Sequence, residues 1–305
     1  MMQIISQNLN STFVSNILDL YGEEGKIWIN NLPSHLTQLS AKWNFRFLKV
    51  MPDLTYNFVG LVELIPTGEP AIIKMGLRCE NIATEVRWLE YFRGVPKIYW
   101  YDKEHHAYLM ECLEPGNSLK TLVKAGQDDS ATRILCHTIR DLQSNKQKKP
   151  EFPHISELAG SLSSLKDHLD DKMLSKAESL FHELTTDRTK DVILHGDLHH
   201  DNVLSSGATW KVIDPHGYVG DPVFEAGAMI YNPCDCFPKE KSISQIVERR
   251  LKILAEELPF DPKRIKAWAY CRTVLSIAWT FEDYGILPAF EIEVVSAIDQ
   301  SRGQH

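Results

Sequence analysis

Residues 192–204 read VILHGDLHHDNVL, two aspartates, three histidines and an asparagine between the aliphatic runs Val192–Leu194 and Val203–Leu204. Polar side chains so placed either form a plain turn between two short buried strands or do chemistry. Asp197 and Asn202 stand five positions apart, and Asp214 follows in WKVIDPHG at the end of another short apolar run. A carboxylate and an amide oxygen, Asp214 and Asn202, are hard-oxygen ligands suited to magnesium, which keeps waters and takes phosphate oxygens besides. Asp197 is then left to orient a hydroxyl and accept its proton. These are the parts of phosphoryl transfer, where positioning and charge neutralisation carry most of the catalysis. The geometry expected is two adjacent strands, 192–194 with 203–204 and 210–213, presenting the three side chains at one edge.

Such a site needs a cation for nucleotide phosphates. AIIKMG places Lys74 in an otherwise apolar run, where an ammonium is costly unless paired. The following segment offers Glu80, Glu85 and Glu90 as partners. Glu85 is favoured because Ile82, Val86 and Leu89 flank it on the apolar helical face.

The elements that must hold these groups follow from periodicity. Residues 12–45 read as two short helices separated by GEEGK and a turn at Pro33. FRFLKVM, YNFVGLVELI and PAIIKMG alternate like three antiparallel strands. A helix over ENIATEVRWLEYFRG and two more strands over VPKIYWYDKEHHAYLMECL come next. Pro115 and Gly116 then mark a change of regime. Helical periodicity runs over 118–125, 130–145, 155–183, 242–257 and 262–284, and NKQKKPEFP (145–153) reads as an exposed loop. The expected class is α+β, a small antiparallel-sheet lobe followed by a larger helical lobe. The expected divisions are an N-terminal helical segment (1–45), a nucleotide-binding lobe (46–112) and a helical lobe (113–305).

His195 to Asn202, HGDLHHDN, resembles the catalytic loop of the aminoglycoside phosphotransferase family of the protein-kinase-like fold, and Asp214-Pro215-His216-Gly217 resembles its metal-binding segment. IDPHGYVGDPVFEAGAMIYNP, WINNLPSHLTQLSAKWNF and AWAYCRTVLSIAWTFEDYG are similar to the streptomycin 6-kinase and hydroxyurea phosphotransferase branch. The resemblance implies a two-lobed kinase-like fold using ATP and Mg2+. It makes Asp197 the catalytic base, Asn202 and Asp214 magnesium ligands, and Lys74 the phosphate contact held by Glu85. MECL would meet adenine through backbone groups of Glu111 and Leu113. Gly196 stands where protein kinases carry arginine, and MPDLTYNFVG has no G-x-G-x-x-G, so a looser loop near Thr55–Asn57 would cover the phosphates.

His195 and His199 have an i, i+4 relation but lie on a loop, which disfavours zinc; His195 is expected to brace the loop, and His216 to be structural. Asp221 and Glu225 would buttress the metal segment. Glu282 and Asp283 end a helix rich in aromatic residues and would line a pocket for a cationic acceptor. Cys234 and Cys236 have no matching second pair, and six scattered cysteines in 305 residues read as reduced thiols.

Hydrophobic content of 43% and charged content of 24% are ordinary for a globular protein, and the net charge of −8 argues against nucleic acid. No apolar run reaches the roughly 18 residues of a membrane span. MMQIISQNLNSTF lacks the order of a secretion signal, so a cytoplasmic enzyme is expected, with no obligate protein partner. The resemblance implies transfer of the γ-phosphoryl group to a hydroxyl of a streptomycin-like aminoglycoside or a hydroxyurea-type acceptor. A metabolite alcohol is the alternative acceptor, and a nucleotide-binding pseudoenzyme the alternative class, disfavoured because Lys74, Asp197, Asn202 and Asp214 are all present.

Overall fold

Asn10 opens the first helix, α1 (Ser11–Trp43), by accepting the Phe13 N–H on its side chain at 2.7 Å, and Asn44 ends it in the left-handed conformation. This computed structural model describes residues 9–144, 151–239 and 241–301. The opening MMQIISQN and most of the expected loop at 145–153 therefore lie outside the described residues. The turn expected at Pro33 is absent: Pro33 sits inside the helix, and its carbonyl accepts the Thr37 hydroxyl at 2.8 Å. The separation expected at GEEGK is present, as a break at its first residue, Gly22, with φ 54° and ψ −128°, a conformation strongly disfavoured for residues with a Cβ.

α1 packs on a five-stranded antiparallel sheet of order β1-β2-β3-β5-β4. Its strands are β1 (Phe45–Val50), β2 (Phe58–Leu64), β3 (Pro70–Met75), β4 (Ile98–Asp102) and β5 (Ala107–Glu111). Phe13, Ile17, Leu32, Leu36 and Leu39 recur at helical spacing and share one apolar cluster with Phe45, Phe58, Val62 and Ile73. β3 is buried at every position from Ala71 to Met75, as expected of a strand covered on both faces. Helix α2 (Cys79–Tyr91) packs on β4 and β5. The described residues up to Tyr91, with Val95–Leu113, form one compact unit; Phe92–Gly94 and the described residues from Glu114 form the other.

In the second unit the chain does not turn helical at once. β6 (Pro115–Ser118) pairs with a later strand before α3 (Lys120–Lys124) and α4 (Asp128–Gln143). The single helix expected over 155–183 is two elements. A 3-10 helix spans Ile155–Leu165, and α5 spans Asp171–Thr186, N-capped by Asp170. Serine chemistry explains the difference: Ser163 and Ser164 hydroxyls each bond a carbonyl three residues back at 2.7 Å, favouring tight turns over α-helix.

Two small sheets follow. β7 (Val192–Leu194) pairs with β10 (Tyr218–Gly220), whereas β8 (Val203–Ser206) lies between β6 and β9 (Thr209–Val212). The expected adjacency of 192–194 and 210–213 is thus replaced by two separate ladders. Three helices complete the unit. α6 (Ile243–Glu257) begins in a Ser242–Gln245 capping box. α7 (Pro262–Tyr284) runs from an Asp261 cap to left-handed Gly285, and α8 (Ala289–Gln300) follows, a helix absent from the sequence expectations. No helix among the described residues is long and apolar enough to cross a membrane.

Candidate active site

Two ladders hold one loop between them. Continuing the β8–β9 register, Ile213 N–H bonds the Asn202 carbonyl at 3.0 Å, which sets Asn202 beside the peptide leading to Asp214. On the other side the His195 carbonyl accepts the His216 and Gly217 amides at 2.8 and 3.1 Å, stapling 214–217 to the start of the loop. Asp214 itself has φ 58°, a left-handed backbone just before proline. For a residue with a side chain this costs roughly 1–3 kcal/mol and must be held by its surroundings. Gly196 has φ 87°, and a Cβ there would stand 2.6 Å from the Tyr218 ring, so neither arginine nor any other side chain fits.

The loop is braced from within. His195 is fully buried, and its Nε2 faces the Ile213 carbonyl at 2.8 Å while Nδ1 accepts the Asp197 N–H at 3.2 Å. Burial holds its pKa down at about 4, so the ring is neutral, with its proton on Nε2. Glu225 accepts the backbone N–H of His195 and Gly196. Burial raises its carboxyl to about 7, against the pull of those two donors. His195 therefore braces the loop as expected, whereas Glu225, expected to buttress the segment at 214–217, bonds the start of the Asp197 loop instead. Asp221 caps the following turn at Val223 and accepts from Arg264 at 2.6 Å.

At the centre, Asp197 is held by both oxygens. Oδ2 lies 3.3 Å from His199 Nε2, and Oδ1 accepts from Arg272 Nη2 at 3.3 Å. Burial pushes the Asp197 carboxyl up, but His199, then His216 and Arg272, outweigh it and keep it well below the usual carboxylate range. The Asn202 amide nitrogen donates to the Asp197 carbonyl at 2.9 Å, which fixes the orientation of the amide.

Lys74, Glu85 and Tyr108 form a second cluster, in the first unit. Lys74 Nζ meets Glu85 Oε1 at 2.8 Å, and the Tyr108 hydroxyl donates to the same oxygen at 2.7 Å. Lys74 and Glu85 are 4% and 5% exposed, so the pair is a buried one. Neither Glu80 nor Glu90 is the partner in that bond. A desolvated ion pair of this kind is weak evidence for stability and better evidence for a site that needs a fixed ammonium.

The sequence model of the aminoglycoside/hydroxyurea antibiotic resistance kinase family matches residues 54–284, most of the chain. The chain belongs to that family. It is 27% identical over 274 residues to the streptomycin 6-kinase of Streptomyces glaucescens, covering 86% of this chain and 87% of that one. It is 31% identical over 244 residues to the streptomycin 3''-kinase of Klebsiella pneumoniae, covering 78% and 90%. Among solved structures it resembles a hygromycin B- and ADP-bound mutant of aminoglycoside phosphotransferase APH(4)-Ia. The TM-score is 0.61 at 11% identity, over 86% of this chain and 97% of that one. It also resembles the choline kinase LicA from Streptococcus pneumoniae, at TM-score 0.59 and 18% identity over 87% and 95%. At such identities the structural likeness establishes the kinase-like fold.

As a member of this kinase family the chain is a phosphotransferase with an alcohol group as acceptor. Glu111 ends β5, with its backbone N–H on the Lys97 carbonyl at 2.9 Å, and Leu113 is buried at the last position of the first unit. Glu282 and Asp283 are exposed in the last turn of α7. Asp283 follows Arg272, Ser276 and Trp279 at 4-, 3- and 4-residue steps, so it lies along the stripe that reaches Asp197, and Glu282 lies to one side of it. Arg272 went unnoticed in the sequence. It sits within an aromatic helix that reads as core, and nothing in its spacing links it to Asp197.

Proposed function

We propose that this kinase transfers the γ-phosphoryl group of ATP, with Mg2+, to a hydroxyl of streptomycin. The observation that carries the reading is the Asp197 loop: a carboxylate held by both oxygens, with Asn202 and Asp214 tied together by the Ile213–Asn202 bond. Asp197 accepts the hydrogen bond of the acceptor hydroxyl and takes its proton as that oxygen bonds to the γ-phosphorus. The bond from phosphorus to the β–γ bridging oxygen breaks, ADP leaves, and the proton passes from Asp197 to solvent. A carboxylate this acidic is a weak base, which suits a reaction in which the proton moves late and orientation does most of the work.

The donor set fits magnesium. Asn202 and Asp214 supply an amide and a carboxylate oxygen, both hard ligands, and the bond from the Asn202 amide nitrogen to the Asp197 carbonyl leaves its oxygen as the ligating atom. The ion, when bound, neutralises phosphate charge. Among the described residues, the one group of three or more acidic or histidine side chains close enough for a metal is elsewhere, at Asp102, Glu104 and His105. Lys42 already pairs with Asp102 there at 2.7 Å.

Lys74 contacts the nucleotide phosphates, kept in place by Glu85, and the backbone of Glu111 and Leu113 meets adenine. Glu282 and Asp283 meet the guanidinium groups of streptomycin. The enzyme works in the cytoplasm, on a small molecule, without nucleic acid or membrane. ADP release with streptomycin, hygromycin B, hydroxyurea and choline as acceptors tests the reading. Streptomycin is expected to give the highest kcat/KM; preference for hydroxyurea or choline would replace the aminoglycoside as acceptor, and no release with any would leave a pseudoenzyme.

A further inference from the structure

Arg272 is 1% exposed, in the middle of α7, where most neighbours are apolar core. Its guanidinium carbon lies 4.5 Å from the centre of the Phe224 ring and 5.1 Å from that of Trp279. Its stem crosses Gly227 so closely that a Cβ there would stand 2.4 Å from Arg272 Cγ. Only Nη2 reaches a carboxylate, at Asp197 Oδ1; Nε and Nη1 are buried with no hydrogen-bond partner. For stability this is a poor use of the position. A buried charge with unmet donors is costly, and an apolar side chain of similar size would fill the slot between the two rings without that cost.

What the arginine alone can do is hold Asp197. We infer that Arg272 is a positioning residue for transfer: it fixes the Asp197 carboxylate from the Oδ1 side while His199 fixes it from the Oδ2 side, so that the base cannot rotate away from the acceptor hydroxyl. The aromatic slot sets the plane of the guanidinium, and Gly227 lets the helix come close enough for Nη2 to reach. Arg272 is not placed as a ligand for substrate, because its side chain as a whole is only 1% exposed. The inference rests on the reading of Asp197 as the group that orients the hydroxyl, and it adds a residue 75 positions away to that machinery.

The test uses the full chain with ATP, magnesium and streptomycin, and in parallel without acceptor, where water takes the phosphoryl group. Wild type, Arg272→Met, Arg272→Lys, Asp197→Asn and the Asp197→Asn/Arg272→Met double variant are compared for kcat, both KM values and melting temperature. Arg272→Met is expected to lower kcat about 100-fold, the scale of a displaced catalytic group, with both KM values changed by about twofold or less. Arg272→Lys should recover part of the loss. In the Asp197→Asn background the same change should cost about twofold at most, because the group it positions is gone. If Arg272→Met does not fold, Arg272→Lys replaces it in the cycle. Wild-type kcat in the Arg272 variants, or an equal loss in both backgrounds, overturns the inference alone. Near wild-type turnover in Asp197→Asn overturns the base reading and the inference with it.

Discussion

Lys74 is buried and Asp197 partly buried, and each charge has a partner of opposite sign, yet they are held in opposite ways. Lys74 meets Glu85 at 2.8 Å, Tyr108 donates to the same carboxylate oxygen, and strand β3 around it is regular. Asp197 sits beside a left-handed Gly196 and on a loop stapled to left-handed Asp214, and its partner Arg272 keeps two donors unmet. The first arrangement is a satisfied ion pair on rigid elements. The second tolerates backbone strain and an unsatisfied buried cation to put one carboxylate in one place. A left-handed Asp214 and the two unmet donors of Arg272 lie where the chemistry is proposed, a contrast that supports reading the loop, rather than the sheet, as the reactive part.

The largest effect should come from the strained region. Asp197→Asn is expected to lower kcat by about 10³-fold or more while KM for ATP changes little, since the amide keeps the shape and loses the proton acceptor. Steady-state kinetics with varied ATP and acceptor decide it; a substantial rise in KM for ATP would move Asp197 into nucleotide binding. Next comes the satisfied pair. Lys74→Met should slow transfer roughly 100-fold, with Glu85→Gln milder and Tyr108→Phe milder still, since Glu85 bonds the ammonium directly and Tyr108 acts only through Glu85. Tyr108→Phe as damaging as Lys74→Met would mean that the cluster acts as a fold element and not as a holder of one ammonium.

The two regions were not equally readable from the sequence, and the reasons are local. Lys74 and Glu85 are eleven residues apart on a strand and the helix after it, and Ile82, Val86 and Leu89 set the register that turns Glu85 inward. Asp197 and Asn202 share a loop, and the β8–β9 hairpin brings Asp214 back within a few residues. Arg272 needs the packing of a whole helix to reach Asp197, which no spacing rule encodes. Helix α8 reads AFEIEVVSAIDQ, where alternation and helical spacing overlap and neither wins. The break after Leu165 depends on serine hydroxyls outcompeting the helix; of the two breaks expected in residues 12–45, the one in GEEGK forms at Gly22, while Pro33 is absorbed.

A smaller effect sharpens the contrast through pH. Burial depresses the folded His195 pKa to about 4, whereas the unfolded chain takes up this proton near 6.5. Its contribution to stability is therefore full above about pH 6.5 and falls as pH drops toward 4, by on the order of 3 kcal/mol. His199 opposes this, because its own pKa is raised: burial lowers it, but Asp197 wins. Denaturant midpoints of wild type and His195→Gln between pH 7 and 4 isolate the His195 share. Parallel curves would show that the His195 ring is not held neutral.

The smallest change is expected at the exposed end of α7. Glu282→Gln with Asp283→Asn should raise KM for streptomycin several-fold, leave KM for ATP alone and change kcat less. In the wild type, KM for streptomycin should rise with ionic strength, since exposed pairs are screened over roughly 8–10 Å. A KM insensitive to both would remove these two acids from the acceptor site and leave the Asp197 loop untouched.

We propose that the Asp197 loop moves a phosphoryl group from ATP to a streptomycin hydroxyl. The most direct measurement is the mass and 31P NMR spectrum of streptomycin after incubation with ATP, magnesium and either wild-type or Asp197→Asn protein. A phosphomonoester of streptomycin formed one-for-one with ADP is expected from the wild type, and unmodified streptomycin from the variant. Unmodified streptomycin in both, or the same phosphomonoester formed as fast by Asp197→Asn, would contradict it.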